Sequence, residues 1–430
     1  MANIFVYDEF NPEDTAMMQA LYSRSPKSVV EHVEKVKQSG SGKFMETFYV
    51  GYGHASIADC GSTTIFIEGI SILGDKAIQD WQLYSGQETS TRYVDMTKQA
   101  IIDPLNTAES KSILDKWMSF YIKNQERIQQ YLMTKYPRKE DEEEGMYLKA
   151  IKARGFDTMR GFLPAGITTQ LSWHTNLRQA WDHLALLRHH PLAEVRTTAE
   201  TILTNLRAKY SHSFSHPLNE DQEKYREAMV KKYTYFAPAA NAPEFALTST
   251  IKAAELALYQ DAIDSRPLKI GLPNFLADLG TCHFDFYLDY GSFRDIQRHR
   301  SGICRMPLLT TAIGFNAWYL NELPADMRQE AEKLITEQIA AIAKLDTSPE
   351  IKQYYIALGF NVSCQTTYPL PAAAYVIELR SGRLVHPTLR KVAHQMHKAL
   401  IGQVPNLKLY SDLSLDDWDA RRGLADIVKK

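Results

Sequence analysis

Arg298-His299-Arg300 sets two permanent cations and a titratable ring in three consecutive residues. Guanidinium forks bind phosphate or pyrophosphate oxygens in pairs and stay charged at any physiological pH, while an imidazole can donate or stack. At the matching place in the first half of the chain stands Asp80-Trp81-Gln82. Six residues further on the pattern reverses. The first half offers Glu88, Ser90, Arg92 and Tyr93, and the second half Met306, Leu308, Thr310 and Thr311. In an extended or turned segment Glu88, Ser90 and Arg92 share one side, a lining suited to a nucleotide's phosphate and base edge. The same residues equally suit a polar edge strand with a cross-strand ion pair. Arg160, in Arg160-Gly161-Phe162-Leu163-Pro164, and Asn176 and Arg178 flank the strand-like run Thr168–Trp173. Each half holds what the other lacks, so a working site would be assembled from both.

The elements that must position these residues recur. Ala20-Leu21-Tyr22-Ser23 returns as Ala246-Leu247-Thr248-Ser249, and Gly53-His54-Ala55-Ser56 is matched with Gly280-Thr281-Cys282-His283. Alternating apolar runs at Thr63–Ile67 and Phe284–Leu288 predict strands. The stripes Ile113, Leu114, Trp117, Met118, Tyr121 and Ala331, Leu334, Ile335, Ile339, Ile342 predict long helices with core faces. Leu184–Arg188 before His190-Pro191 echoes Ile377–Arg380 before His386-Pro387, each read as a strand-like run feeding a helix near an arginine. The proline-flanked segment 237–243 is the natural linker, dividing a first repeat, 1–236, from a second, 244–430. The expected fold class is α/β (α+β), each copy a small mixed or antiparallel sheet with long helices. The charged run Arg138–Glu144 reads as a solvated loop.

Bulk properties narrow the classes. At 430 residues and 49.0 kDa, with 44% apolar and 23% charged residues, two folded domains are expected. A net charge of −2 and a pI near 6.7 give no general attraction to nucleic-acid polymers or anionic membranes, so phosphate recognition must be local. No 18-residue apolar run and no basic-then-apolar leader occur, so the expected location is cytoplasmic. Cys60, Cys282, Cys304 and Cys364 form no close pair, and no metal site is expected. Cys304, four residues after Arg300, reads as a packed thiol.

The order Gly-His-x-Ser, Arg-His-Arg, Glu-x-Ser-x-Arg-Tyr, Arg-x-x-Leu-Pro, Asn-x-Arg and an arginine closing a Leu-rich segment resembles the flavin-dependent thymidylate synthases, taken as two copies of a unit that occurs once per family subunit. The family signature runs unbroken from Arg-His-Arg into Glu-x-Ser-x-Arg-Tyr; here it is split between copies. The resemblance implies FAD held by Arg298, His299, Arg300, Ser56, Asn176 and Arg178, and deoxyuridine monophosphate held by Glu88, Ser90, Arg92 and Arg160. It implies Arg380 as the arginine favouring ionisation of the pyrimidine N3, with Arg188 as the other arginine in that region. Methylenetetrahydrofolate and NADPH would be co-substrates, and two chains would pair as a homodimer forming a pseudo-tetramer with half the sites of a single-copy tetramer. Asp295 stands where the family carries a glutamine near the nucleotide, which points towards another pyrimidine nucleotide; a non-catalytic nucleotide- or flavin-binding relative is the third reading.

Overall fold

A computed structural model of the chain describes residues 9–236, 243–416, 418 and 421, so most of the 237–243 linker lies outside the described residues. The chain divides into two compact units that interleave along the sequence. The first comprises Met1–Ile70, Ala77–Glu88 and Gln170–Thr234; the second comprises Ser71–Lys76, Thr89–Thr169 and Tyr235–Lys430.

The first unit is built on a three-stranded sheet of β1 (Ser62–Ser71), β2 (Ser85–Glu88) and β3 (Thr168–Asn176), in the order β1-β3-β2. β2 runs antiparallel to β3, from Ser85 opposite His174 to Glu88 opposite Leu171. The helix Leu177–Leu187 starts where the Asn176 side chain caps the Gln179 amide. Its inward face is Leu177, Ala180, His183, Leu184 and Leu187. The Leu177 amide donates to the Gly61 carbonyl, and Gly61 lies so close to the chain that a Cβ there would sit 2.2 Å from the Pro12 carbonyl oxygen.

The second unit carries β4 (Phe245–Ser249), β5 (Thr281–Asp289), β6 (Ile303–Cys304) and β7 (Asn361–Pro369), antiparallel in the order β4-β5-β7-β6. Along β5 the buried residues Cys282, Phe284, Phe286 and Leu288 alternate with half-buried His283, Asp285 and Tyr287, as a strand with one core face requires. The long helix Ala108–Lys135, opened by a Thr107–Ser110 capping box, packs against Glu144–Met159 and Ala325–Ala343. The Trp117 indole is fully buried and donates to the Tyr355 carbonyl. The two antiparallel sheets and their long helices make an α+β fold of the expected class.

Inside the second unit the duplication is visible as paired hydrogen bonds. The Gly166 amide donates to the Tyr354 carbonyl (2.9 Å) and the Gly359 amide to the Gly161 carbonyl (2.8 Å). Ala165 donates to Ile356 and Leu358 to Leu163, both at 2.9 Å, around a bridge between Pro164 and Ala357. Equating Gly166 with Gly359 exchanges the members of each pair, which is the pattern of an isologous contact about a two-fold axis. The flanks repeat it. Ile102 donates to Gly166 and Asn316 to Gly359, both at 2.8 Å; Ile72 donates to Ile167 and Tyr290 to Phe360, both at 3.0 Å.

Three sequence correspondences are corrected. Ala20–Ser23 ends the helix Pro12–Tyr22, whereas Ala246–Ser249 lies in β4, so the shared letters do not share a shape. Gly53–Ser56 leads into a 3-10 turn at Ala55–Cys60, whereas Gly280–His283 enters β5. The counterpart of Gly280 is Gly61, since the Leu370 amide donates to Gly280 as Leu177 does to Gly61. Leu184–Leu187 and Ile377–Arg380 are helical, not strand-like. A short continuous apolar run does not discriminate the two, and here the helix starts upstream decide.

Candidate functional site

All the geometry in this site lies within the second unit, which contains residues of both halves. Ser90 turns the chain after β2: its hydroxyl accepts from the Arg92 amide at 3.2 Å, and its carbonyl from the Val94 amide at 3.1 Å. Arg92 Nε donates to Asp157 Oδ1 at 3.0 Å, and its Nη1 to the Leu384 carbonyl at 3.3 Å. Burial lowers the Arg92 pKa, but Asp157 and then Asp295 outweigh it, so the guanidinium is held still more firmly charged. Asp157 comes from the first-half helix Glu144–Met159 and is fully buried; Leu384 comes from the second half.

From the second half, the short helix Tyr290–Ile296 begins where Asp289 caps the Ser292 amide at 2.8 Å and delivers the Arg-His-Arg triplet just beyond its end. Arg380, the last residue of the helix Leu370–Arg380, donates through Nε to His299 Nε2 at 2.7 Å and through Nη2 to the Asp295 carbonyl at 2.6 Å. Burial, reinforced by Arg380, pushes His299 down to about 3, so its ring is neutral, accepts on Nε2 and carries its proton on Nδ1. Tyr375, 56% exposed, meets His299 edge-on with ring centroids 6.0 Å apart. Arg298 is exposed, and Arg300 donates to the Arg298 carbonyl at 3.4 Å.

Asp295 sits among these cations. Burial pushes its pKa up, but Arg380, Arg298, Arg92 and Arg160 together bring it below the usual carboxylate range, so it is ionised. Its Oδ1 lies 4.0 Å from Arg298 Nε and its side chain is partly exposed. Asp295 is thus neutralised by a cluster of arginines from both halves, which removes much of its repulsion towards a phosphate.

Arg160 is deeper. Its Nη2 donates to Ser292 Oγ at 2.7 Å and its Nε to Tyr319 Oη at 3.3 Å, while Tyr319 donates to Asp289 Oδ2 at 2.7 Å. Ser292 also meets Thr388 Oγ1 at 2.8 Å and His386 Nδ1 at 3.2 Å. Arg160 therefore ties the first half to the start of the helix that presents Arg-His-Arg.

Not every expected site residue lies in this unit. Glu88 closes the first unit's β2 and accepts from Gln79 at 2.6 Å. Ser56 lies in the first unit's 3-10 turn, Asn176 caps the Leu177–Leu187 helix, and Arg178 pairs with Asp59 at 2.7 Å. Arg188, also in the first unit, pairs with Glu200. Asp157, Arg294, Tyr319 and the Leu384 carbonyl carry contacts that no sequence motif marks. A carbonyl leaves no trace in residue type, but Asp157, three residues before Arg160 in Asp157-Thr158-Met159-Arg160, was a readable acidic partner. Cys282 and Cys364 are buried, and burial pushes the Cys282 thiol up to about 12, consistent with inert packed thiols. Among the described residues, no group of three or more His, Cys, Asp or Glu is arranged to hold a metal ion, and no helix is long and apolar enough to cross a membrane.

The counterparts of these segments are closed by the protein itself. The second-half segment is met by Phe236, the last residue of the expected first repeat, which donates to the Met306 carbonyl at 2.8 Å and accepts from the Leu308 amide at 3.0 Å, and the Arg305 guanidinium lies 4.7 Å from its ring centre. Gln353, which takes the place of Arg160, accepts the Leu309 amide at 2.9 Å. In the first unit, Trp81 takes the place of His299; it stacks on His183 at 4.7 Å and donates to Gln179 at 2.9 Å.

Residues 6–210 match the family described as thymidylate synthase complementing protein. A UPF0159 protein from Chlamydia muridarum is 25% identical, the match covering 84% of this chain and 78% of that protein. A UPF0159 protein from Thermoplasma acidophilum is 23% identical over 92% of this chain and 94% of its own length. One from Chlamydia pneumoniae is 23% identical over 86% and 82%.

Proposed function

We propose, from the match of residues 6–210 to the family described as thymidylate synthase complementing protein, that the chain is a flavin-dependent enzyme that methylates C5 of deoxyuridine monophosphate at a site composed from both repeats. The observation that carries this reading is the convergence of Arg92, Asp157 and Arg160 of the first half with Asp295, Arg298, His299 and Arg380 of the second. The donor set fits both ligands. Arg298 and Arg300 are partly exposed cations suited to the FAD pyrophosphate, and the exposed Tyr375 beside neutral His299 offers a flat face for its ring system. Arg92, with Ser90 beside it, suits the nucleotide phosphate. Arg380, its own pKa lowered chiefly by burial yet still a cation, would favour negative charge on the pyrimidine N3 and so strengthen C5 as a nucleophile. When bound, reduced FAD supplies the reducing equivalents, regenerated by NADPH, and methylenetetrahydrofolate supplies the carbon. On the family pattern, repeats at 1–236 and 244–430 joined by 237–243 would pair as a homodimer in the cytoplasm, with nucleotide and folate small molecules as partners.

Asp295 favours a second reading. An ionised, partly exposed carboxylate accepts hydrogen bonds, so a pyrimidine nucleotide carrying an exocyclic amine, such as deoxycytidine monophosphate, would be preferred over the uracil nucleotide. The test is release of tritium from C5-labelled deoxyuridine monophosphate by the full chain with FAD, NADPH and methylenetetrahydrofolate. Release with formation of the methylated nucleotide is expected; retained flavin without release, and tighter binding of the amino nucleotide, would replace the first reading by the second.

A further inference from the structure

Arg294 is buried on the second-half helix Tyr290–Ile296, yet its guanidinium fork reaches the first half's nucleotide segment at two points. Nη1 donates to Thr91 Oγ1 and Nη2 to the Thr89 carbonyl, both at 3.3 Å. Thr89 and Thr91 bracket Ser90, and Arg92 follows directly. From this geometry we infer that Arg294 is a positioning residue: it clamps Thr89–Thr91 and thereby presents Ser90 and Arg92 to the nucleotide. This rests on the nucleotide site proposed above.

Two comparisons support the assignment. At the matching helix position the first half has Lys76, which is fully buried and pairs with Asp75 at 3.4 Å. An ammonium is a compact point charge on a flexible stem; a guanidinium spans two acceptors in a fixed plane and so fixes the relative placement of two residues of one segment. The counterpart of the clamped segment, Pro307–Leu309, is instead held where Phe236 makes two backbone hydrogen bonds, to the Met306 carbonyl and from the Leu308 amide. The two halves therefore hold equivalent segments by different means, a guanidinium fork for the one that carries Ser90 and Arg92, and the Phe236 backbone with the Gln353 amide for the other. Holding a loop in its binding shape beforehand removes ordering cost from the binding step.

The clamp is tested in the full chain loaded with FAD. Arg294→Ala is expected to raise the Kd for deoxyuridine monophosphate about 10- to 100-fold, from the loss of charge-assisted bonds and of loop order, with FAD retention unchanged. Arg294→Lys is expected not to restore binding, whereas added guanidinium ion restores the Ala variant in part. Hydrogen exchange at residues 89–94 of the nucleotide-free protein reads the clamp without any ligand and should accelerate in Arg294→Ala. If Arg294→Ala does not fold, Thr91→Val removes one of the two contacts with little change of volume and should accelerate the same exchange. Unchanged exchange, or unchanged nucleotide Kd in a variant of a wild type that binds, overturns the clamp. Failure of the wild type itself to bind the nucleotide overturns the proposed substrate while the exchange result still decides the clamp.

Discussion

The segments 88–93 and 306–311 occupy matching places after paired strands, Ser85 opposite His174 in one copy and Ile303 opposite Thr367 in the other. They have diverged in opposite directions. The first presents Ser90 and Arg92 and is held by Arg294 and Asp157. The second presents Leu308 and Thr310 and is covered by Phe236, with Gln353 satisfying the Leu309 amide. The same trade occurs between His299 with Arg380, a polar pair beside Arg298 and Arg300, and Trp81 with His183, a stacked pair of rings. On the proposed reading a chain with two copies needs one complete set of cations per composite site, because each buried charge demands a counter-charge and hydrogen bonds of its own; the matching places hold rings and amides instead.

The largest expected effect tests whether the asymmetry is electrostatic. Asp157→Ala leaves half-buried Arg92 with Asp295 as its remaining acidic neighbour and should cost about 3 kcal/mol in urea unfolding, whereas Glu350→Ala at the matching second-half position should cost less than about 1 kcal/mol. Equal losses would break the comparison. Next, Arg92→Ala should weaken deoxyuridine monophosphate binding about 100-fold with flavin retained, and Arg298→Ala should lose flavin, each reflecting about 1.5–3 kcal/mol of charge-assisted hydrogen bonding. The mirror changes Thr310→Ala and Asp80→Ala should leave both ligands bound. Loss of one ligand in both members of the first pair of variants would merge what is described as a division of labour.

Three histidines give a pH signature. Burial, with cations adding to it at His190 and His299, depresses His183 to about 4 and His190 and His299 to about 3 in the folded chain. The unfolded chain takes up these protons near pH 6.5, so their contribution to stability is full above that pH and is lost as pH falls towards the folded values. Each adds a slope of up to about 1.4 kcal/mol per pH unit in that window, measurable as a falling urea midpoint between neutral and mildly acidic pH; His299→Gln should flatten it. The smallest effect belongs to Phe236→Ala, which removes the ring beneath Arg305 and should cost about 1 kcal/mol without opening a second nucleotide site, since Thr310 still stands where Arg92 does in the first half.

Much of this was legible in the residues. The alternation at 63–67 and 284–288 marked β1 and β5 correctly, and the apolar stripes marked the helices Ala108–Lys135 and Ala325–Ala343, because both signals follow from the faces those elements bury. The split of Arg-His-Arg from Ser-x-Arg is the sequence feature on which the proposed shared site rests. What stayed hidden depends on three-dimensional proximity. Arg294 and Asp157 act across 203 and 65 residues respectively, and no local pattern distinguishes them from ordinary helix charges. The four-letter matches misled because backbone closeness, not side-chain identity, fixes the equivalence: Gly61 and Gly280 share a role through the carbonyls they offer to Leu177 and Leu370.

The most direct test of a single composite site is an equilibrium titration of the intact, FAD-loaded chain with deoxyuridine monophosphate, counting nucleotides per chain. About one per chain is expected, with the Kd raised about 100-fold in Arg92→Ala and unchanged in Thr310→Ala. Two per chain would show that the Met306–Thr311 segment still binds, and would contradict the division of one site between two copies.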